Sequence, residues 1–271
     1  MRIQVLVAAM HQKDASLLEK MNIQSDAIVG NQCQENRVEQ FLWKDRKITY
    51  LSFAERGVGL NRNNALLRAD GDVCLFADED MRYCEDYPGL VERAFAAHPD
   101  ADAIVFNLKT VGDTTRVERR INRDSKRVRW YNALNYGAAR LAVKNSSVRR
   151  ENLSFHRCFG GGTLYSCGED TLFIVDMLKH GLKLYTWPET IAQVEQNTST
   201  WFSGYNEKFL YDKGALFQAV SRKWAGLLCL QDLLRHPQMY RTAGLSFRKA
   251  WALMKQGRKG FAALKPYEAA K

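Results

Sequence analysis

The residues best suited to chemistry are three consecutive acids, Asp78, Glu79 and Asp80, which directly follow an apolar run at 73–77. The run has the length and residue types of a central strand, and the acids mark its end because a strand interior cannot hold carboxylates. Asp78 and Asp80 would point to the same side of extended backbone, where two hard oxygen donors suit Mg2+ or Mn2+. The alternative is a solvated acidic turn, which is the commoner interpretation of an isolated Asp-x-Asp.

A second stretch, 55–72, combines Gly57 and Gly59 with arginines and asparagines and continues into a helical segment at 64–69. Glycines let the backbone approach a ligand, and a helix N-terminus with arginine nearby favours phosphate. The alternative is a plain loop in which Asn61 or Asn63 caps the helix. The stretch therefore indicates either a phosphate site or an ordinary helix start.

A glycine-rich stretch lies in the second half of the chain. Its three consecutive glycines, 160–162, permit close backbone approach. Gly168, Glu169 and Asp170 then open a predicted helix with an apolar face, and Gly181 ends it. Both acids could instead be structural, since first-turn carboxylates complement the helix dipole.

Strand and helix patterns must position these groups. Strand patterns occupy the segments 2–9, 26–30, 47–53, 73–77, 102–108, 136–144 and 183–186, the last of which should stop at Trp187 and Pro188. Helical patterns lie between several of these segments, which predicts a parallel, doubly wound sheet. We therefore expect an α/β fold with a Rossmann-like, mostly parallel central sheet flanked by helices, and ligands beyond the carboxyl ends of its strands.

The composition is that of an ordinary globular protein. Of the 271 residues, 46% are hydrophobic and 26% are charged, which allows one sizeable core. No apolar stretch has the length of a membrane span, and the apolar N-terminus is too short for a good signal peptide, so a cytoplasmic protein is expected. The six cysteines form no Cys-x-x-Cys pair, which favours reduced thiols.

The net charge of +10 is concentrated at the C-terminus, where residues 208–271 hold 13 Lys or Arg and 3 Asp or Glu. A basic tail on a neutral body predicts an anionic partner, phospholipid headgroups before nucleic acid. The helical pattern at 216–234 favours packing on the core, and that at 246–264 suits core and membrane surface equally. A basic stretch at 110–130 could grip an anionic acceptor or form a solvated loop.

The order of these motifs resembles the family 2 glycosyltransferases, inverting enzymes of the GT-A fold, and particularly those of capsule and exopolysaccharide synthesis. The resemblance covers about 2–201. It rests on an N-terminal strand, RGVGLNRNNAL at 56–66, FADEDMRY at 76–83, the glycine run, the Gly-Glu-Asp that opens a helix, and a Ser-Thr-Trp ending at Trp201.

The resemblance implies a GT-A domain at 1–205, with a nucleotide-sugar half at about 1–110 and an acceptor half at 111–205. Residues 206–271 would form a basic, amphipathic helical C-terminal extension. The implied reaction transfers a sugar from a nucleotide sugar, expected to be a UDP-sugar, to a hydroxyl of a saccharide or lipid-linked saccharide. The extension could contact an anionic membrane from the cytoplasmic side.

The resemblance also implies the site residues. Asp170 matches the catalytic base and Glu169 its supporting neighbour. Residues expected to bind the nucleotide sugar are Ala8, Ala9, Asn31, Arg56, Arg62, Asn63, Asp78 and Asp80. Residues expected to bind the acceptor are Gly161, Gly162 and Trp201. A divalent cation, Mn2+ or Mg2+, would be held by Asp80, Asp78 and Glu195.

The chain departs from the family pattern at two places. Relatives often carry Asp-Gly-Ser after the second strand, whereas 30–33 reads Gly-Asn-Gln-Cys, in which an amide can still bind a base edge. Relatives often place a His in the late loop, whereas this chain has Glu195, which could substitute as a hard ligand or leave the cation held less tightly.

Two other functions fit the same motifs. A nucleotidyltransferase-like protein could share the sheet, the Asp-x-Asp and the phosphate loop, and a non-catalytic nucleotide-sugar-binding α/β protein could also keep them. Nucleic-acid binding ranks last, because no aromatic pattern is interleaved with the basic residues on a recognisable reading element.

Overall fold

The computed structural model describes residues 1–112, 121–195 and 204–264. Its strands are β1 (Ile3–Met10), β2 (Asp26–Gln32), β3 (Arg37–Trp43), β4 (Arg46–Phe53), β5 (Val73–Asp78), β6 (Met81–Tyr83), β7 (Ala103–Val111), β8 (Leu141–Lys144) and β9 (Leu184–Glu195). Its α-helices are α1 (Ser16–Lys20), α2 (Val58–Arg68), α3 (Tyr87–Ala97), α4 (Asn145–Arg150), α5 (Glu169–Lys179), α6 (Glu207–Val220), α7 (Ala225–Arg235), α8 (Gln238–Arg241) and α9 (Phe247–Ala262).

One mixed sheet organises the fold, with strand order β3-β4-β2-β1-β5-β8-β7-β9-β6. Strands β4, β2, β1 and β5 run parallel, as the alternation of strand and helix predicts. The remaining pairs are antiparallel, except β7 with β9. The α/β fold is thus confirmed, and the parallel arrangement holds for the N-terminal half. Ala8 of β1 pairs with Gly30 of β2 on one side and with Asp78 of β5 on the other. The carboxyl ends of these three strands therefore lie at the same edge of the sheet.

Helices cover both faces of the sheet. Helices α1 and α3 pack on one face against the alternate apolar residues of β1, β2 and β5. Helices α2, α4 and α5 pack on the other face. There the rings of Phe76, Phe155 and Phe173 form a fully buried cluster with centroids 4.2–5.5 Å apart. This aromatic cluster lies beneath the edge where β5 ends in Asp78.

The structure differs from the sequence interpretation at four places. Helix α2 begins at Val58 after Gly57, so Asn61 and Asn63 lie inside the helix and do not cap it. Strand β3 was not expected, because most of its residues are exposed and give no alternation of apolar residues. Only the last four residues of 136–144 are a strand, because a 3-10 turn precedes them.

The fourth difference concerns β9, which does not stop at Trp187 and Pro188 but continues to Glu195. The register against β7 shifts between Val105 and Asn107. Pro188 lies in this bulge, where the hydrogen-bond ladder is interrupted. Its missing N–H therefore costs no ladder hydrogen bond. The carbonyl of Pro188 instead accepts a hydrogen bond from the side chain of Asn107.

The C-terminal helices form a compact layer of their own against α5. Helices α6 and α9 approach so closely that a methyl group at Gly214 would lie 2.1 Å from the carbonyl oxygen of Met254. Leu253 and Met254 of α9 are buried there with Phe217 of α6. The basic helix α9 therefore buries its apolar face within the protein. Among the described residues, no helix combines the length and the apolar character that a membrane span requires.

Candidate active site

The buried guanidinium of Arg62 joins three carboxylates at the edge of the sheet. Its Nη2 donates to Asp78 at 2.7 Å, and its Nη1 donates to Glu169 at 3.2 Å and to Asp170. Arg62 is only 3% exposed, whereas the carboxylates of Asp78 and Asp170 are partly open to solvent. Two helices far apart in sequence, α2 and α5, are thus connected to the end of β5.

Charge and burial determine the protonation of this cluster. Burial alone lowers the pKa of Arg62, but Asp170, Asp78 and Glu169 raise it above its ordinary value, so Arg62 remains a cation. Burial, followed by the neighbouring Asp170, raises the pKa of Glu169 from 4.5 to about 7 against the opposing influence of Arg62. With all its acids ionised, the cluster has two more negative than positive charges.

Glycines at positive φ allow the helices to come together. Gly57 and Gly168, with φ of 114° and 116°, precede α2 and α5 directly. Gly160 has φ of 103°, and a methyl group there would lie 2.6 Å from Val58 and 2.7 Å from the carboxylate of Glu169. The carbonyl of Gly161 accepts a hydrogen bond from the amide of Val58 at 3.1 Å. The glycine run therefore packs between α2 and Glu169.

The segment before β8 approaches Asp170 from another side. A methyl group at Gly137 would lie 3.0 Å from Oδ2 of Asp170. Arg140 is buried close by, donates to the carbonyl of Asn135 at 2.8 Å and stacks on the ring of Tyr136. The absence of a side chain at Gly137 thus leaves the backbone adjacent to the carboxylate.

Two asparagines of the predicted nucleotide site clamp main-chain groups. The amide of Asn31 exchanges two hydrogen bonds of 2.9 Å with the backbone of Gln12 and donates to Ser52. The side-chain amide of Asn63 accepts a hydrogen bond from the N–H of Phe155 at 2.7 Å and donates one to its carbonyl at 2.8 Å. Both side chains therefore hold loops in place.

Glu79, the middle acid, accepts hydrogen bonds from the amide of Met10 at 3.1 Å and from the side chain of Gln12 at 2.6 Å. It therefore fastens the loop after β1 to the end of β5. Gln32 accepts a hydrogen bond from the amide of Gly57 at 2.9 Å and holds the loop before α2. The sequence did not identify Gln12, Gln32 or Glu79 as positioning residues, although their place at strand ends was a signal.

The predicted metal ligands lie at the same edge. Asp78 and Asp80 follow β5, and the amide of Glu195 donates to the carbonyl of Asp80 at 3.2 Å. Their carboxylate oxygens are the donors that Mg2+ and Mn2+ prefer, so the residue types fit such an ion. Within the described ranges, however, no three His, Cys, Asp or Glu side chains converge on one metal position.

The other predicted residues have different surroundings. Ala8 and Ala9 lie near the end of β1, where they pair with Gly30 and Asn31 of β2. Arg56 is exposed just before α2. Of the predicted acceptor residues, Gly161 is buried, Gly162 is exposed, and Trp201 lies outside the described residues.

A cavity of about 150 Å3 lies between the loop after β1 and the β3–β4 hairpin. Gln12 and Ser52, both hydrogen-bonded to Asn31, line it together with Tyr50 and Phe41. The rings of Tyr50 and Phe41 stack with centroids 6.0 Å apart. The cavity therefore adjoins the predicted nucleoside site.

The sequence also missed a support from the C-terminal helices. Asp212 of α6 is fully buried and accepts hydrogen bonds from the amide of Ser166 at 2.9 Å and from its hydroxyl at 2.6 Å. Leu216 of the same helix packs where a side chain at Gly168 would be. The loop that leads into Glu169 is thus held by α6. No pattern near Asp212 indicated this contact.

Comparisons with known proteins agree with this architecture. Residues 27–156 match the family described as "Glycosyl transferase family 2". Comparison with curated protein sequences gave no significant match.

Solved structures share the fold at low sequence identity. The 1-349 fragment of S. aureus TarS in complex with UDP-GlcNAc is 12% identical, with a TM-score of 0.66 over 99% of this chain and 93% of that fragment. The same fragment with UDP is 13% identical, with a TM-score of 0.61 over 100% and 94%.

The mannosyltransferase PcManGT from Pyrobaculum calidifontis, in complex with GDP-Man and Mn2+, is 12% identical. Its TM-score is 0.52 over 95% of this chain and 86% of that protein. The match at 27–156 is thus to a glycosyltransferase family, and the fold of this chain is the one that these solved glycosyltransferases have.

Proposed function

We propose that this chain is a glycosyltransferase of family 2 that transfers a sugar from a UDP-sugar to a hydroxyl of a saccharide or lipid-linked saccharide, with inversion at the anomeric carbon. The product would belong to a surface polysaccharide of the capsule or exopolysaccharide type. The observation that carries the proposal is the charged cluster in which Arg62 joins Asp78, Glu169 and Asp170 at the carboxyl edge of the sheet. Ligands of open α/β sheets bind at this edge.

Asp170 is the proposed base. Its carboxylate is partly exposed, so an acceptor hydroxyl can reach it, and Arg62 fixes its orientation. A carboxylate is a weak base towards an alcohol, so the proton should move late, as the bond to the leaving diphosphate lengthens. Arg62 acts here as a positioning residue, because its Nη atoms are directed at the carboxylates.

The charge of the site favours a divalent cation. One guanidinium among three carboxylates leaves an excess of negative charge, which would repel a nucleoside diphosphate. Asp80 and the exposed part of Asp78 would hold Mn2+ or Mg2+, with Glu195 as a further candidate ligand. The ion would neutralise charge on the leaving diphosphate. PcManGT, which shares the fold, was solved with GDP-Man and Mn2+.

The two ends of the site would take the donor and the acceptor. The nucleoside would lie by Ala8, Ala9 and Asn31, with the adjoining cavity beneath the β3–β4 hairpin. TarS, whose fold this chain shares, was solved with UDP-GlcNAc. The acceptor would approach Asp170 past Gly137, where the backbone carries no side chain.

The acceptor chemistry also suggests where the enzyme works. A lipid-linked saccharide would be presented at the cytoplasmic face of the membrane. The C-terminal helices, with their excess of basic residues, would contact its anionic headgroups.

The decisive experiment measures UDP binding by calorimetry with and without Mn2+, and then UDP release from a panel of UDP-sugars. Asp170→Asn should bind UDP like the wild type, and its turnover should be at least about a hundredfold slower. Asp80→Asn should lose the Mn2+-dependent part of UDP binding. Normal turnover by Asp170→Asn would exclude it as the base.

The products separate the alternatives. A nucleotidyltransferase would release pyrophosphate and no UDP. A non-catalytic binding protein would bind the nucleotide sugar and release neither product. Release of UDP that depends on an added saccharide would support glycosyl transfer.

A further inference from the structure

Helix α7 has one buried and one exposed apolar face. Ala225, Cys229 and Leu233 pack in the core of the C-terminal helices. A second apolar set remains exposed, and it consists of Trp224, Leu227, Leu230 and Leu234. At 100° per residue these four lie on one side of the helix and form a stripe along its whole length, roughly 16 Å. We call this set the α7 stripe.

The charges around the α7 stripe all have one sign. Arg222 and Lys223 precede the helix, and Arg235 ends it. The single acid between them, Asp232, is turned towards the protein, where it pairs with Lys213 at 3.1 Å. Within 222–235, the exposed face thus combines apolar side chains with cations and carries no carboxylate.

We propose that the α7 stripe inserts into the headgroup region of an anionic lipid bilayer. Leucines and a tryptophan at the boundary of the acyl chains, flanked by lysine and arginine at the headgroups, are the features that hold an amphipathic helix in a membrane surface. This inference specifies the surface for the membrane contact suggested under the proposed function, and it rests on that part of the proposal.

The arrangement favours a membrane over a second copy of this chain. A symmetric dimer through α7 would bring the same cations of both copies together, which opposes association. An anionic bilayer instead gains from both the apolar and the basic residues, since each cation near the surface contributes about 1 kcal/mol. The basic helix α9 is a weaker candidate, because its Leu253 and Met254 are buried.

The test is binding of the full chain to phosphatidylcholine vesicles with and without phosphatidylglycerol. We expect binding to the anionic vesicles that weakens with salt. The double variant Leu227→Gln/Leu234→Gln should bind at least about tenfold more weakly. Lys223→Gln/Arg235→Gln should reduce binding to anionic vesicles and remove much of its salt dependence.

Two leucines elsewhere provide the matched control. Leu42 and Leu67 are 71% and 77% exposed, at least as much as Leu227 and Leu234 at 57% and 66%. The variant Leu42→Gln/Leu67→Gln should bind vesicles like the wild type. Because all four side chains are exposed, both double variants should remain folded, which thermal unfolding checks.

Wild-type strength of vesicle binding in the stripe variant would overturn the proposal, as would failure of the wild type to bind anionic vesicles. Sedimentation that shows a dimer abolished by the stripe substitutions, without vesicle binding, would assign the stripe to a second copy. UDP binding measured on the same samples separates the two proposals. Vesicle binding without UDP binding would overturn the donor assignment alone.

Discussion

The carboxylate of Asp212 accepts two hydrogen bonds from Ser166, one from its amide at 2.9 Å and one from its hydroxyl at 2.6 Å. Ser166 lies three residues before Glu169, so helix α6 determines the conformation of the loop that presents the proposed base. The C-terminal helices thus help to support the candidate active site.

Asp212→Asn should therefore affect both stability and turnover. The substitution removes a buried charge that Lys208 also pairs with, and we expect a loss of about 3 kcal/mol in the free energy of unfolding. The turnover number should fall while UDP affinity stays near the wild-type value, because Asp212 contacts Ser166 and Lys208 and none of the residues proposed to bind the nucleotide. Ser166→Ala, which removes one of the two bonds, should cost about 1 kcal/mol. Equal costs for the two variants would contradict this explanation.

Gly160→Ala should disturb Glu169. A methyl group there would meet Val58 and the carboxylate of Glu169 at 2.6 and 2.7 Å, in addition to the cost of a positive φ. Gly181 is the matched control, because its φ is also positive and a methyl group there would have nothing within 4 Å.

We expect Gly181→Ala to lose about 1 kcal/mol in denaturant unfolding and to keep its activity. Gly160→Ala should lose about 2 kcal/mol more and have reduced turnover. If both variants unfold at the same denaturant concentration, the close contacts around Gly160 do not affect the free energy of unfolding.

Glu169 should make stability fall as pH rises. Its pKa of about 7 in the folded protein lies above its ordinary value of 4.5, so the folded state favours the protonated acid. Ionisation of Glu169 therefore lowers the free energy of unfolding. This loss is absent below the pKa of Glu169 in the unfolded chain, grows between the two pKa values and is complete above about pH 7, where it reaches about 3 kcal/mol.

Glu169→Gln should remove this loss of stability. Without added nucleotide or cation, the variant should be more stable than the wild type at about pH 8, and the gain should disappear towards about pH 4. Thermal unfolding across this range is the measurement. A stability difference that does not change with pH would show that the pKa of Glu169 is the same in the folded and unfolded states.

Asn63→Ala should release the segment around Phe155. The amide of Asn63 satisfies both the N–H and the carbonyl of Phe155, so its loss leaves two main-chain groups without that partner and should cost about 3 kcal/mol. Asn64 on the same helix makes a surface hydrogen bond to Glu55. Its replacement by Ala should change the unfolding free energy by less than about 0.5 kcal/mol. A similar cost for both would refute the clamp.

Much of the fold could be predicted because burial leaves a local pattern. The apolar run before Asp78 predicted β5, and the Gly-Glu-Asp sequence predicted the start of α5 at Glu169. Strand β3 could not be predicted, because an exposed edge strand has no apolar face to repeat. The extension of β9 past Pro188 depends on a bulge, which is a relation between two strands.

The sequence by itself determined the α/β order and indicated the residue types of the proposed active site, since these depend on periodicity and on motifs in fixed order. Only the tertiary structure decided which groups these side chains contact. It placed Arg62 among three carboxylates, used Asn31 and Asn63 as clamps, and brought Asp212 to Ser166. Helical periodicity predicts an apolar face but does not say what covers it. Only the tertiary structure shows that Leu253 and Met254 of α9 are buried, whereas the α7 stripe is exposed.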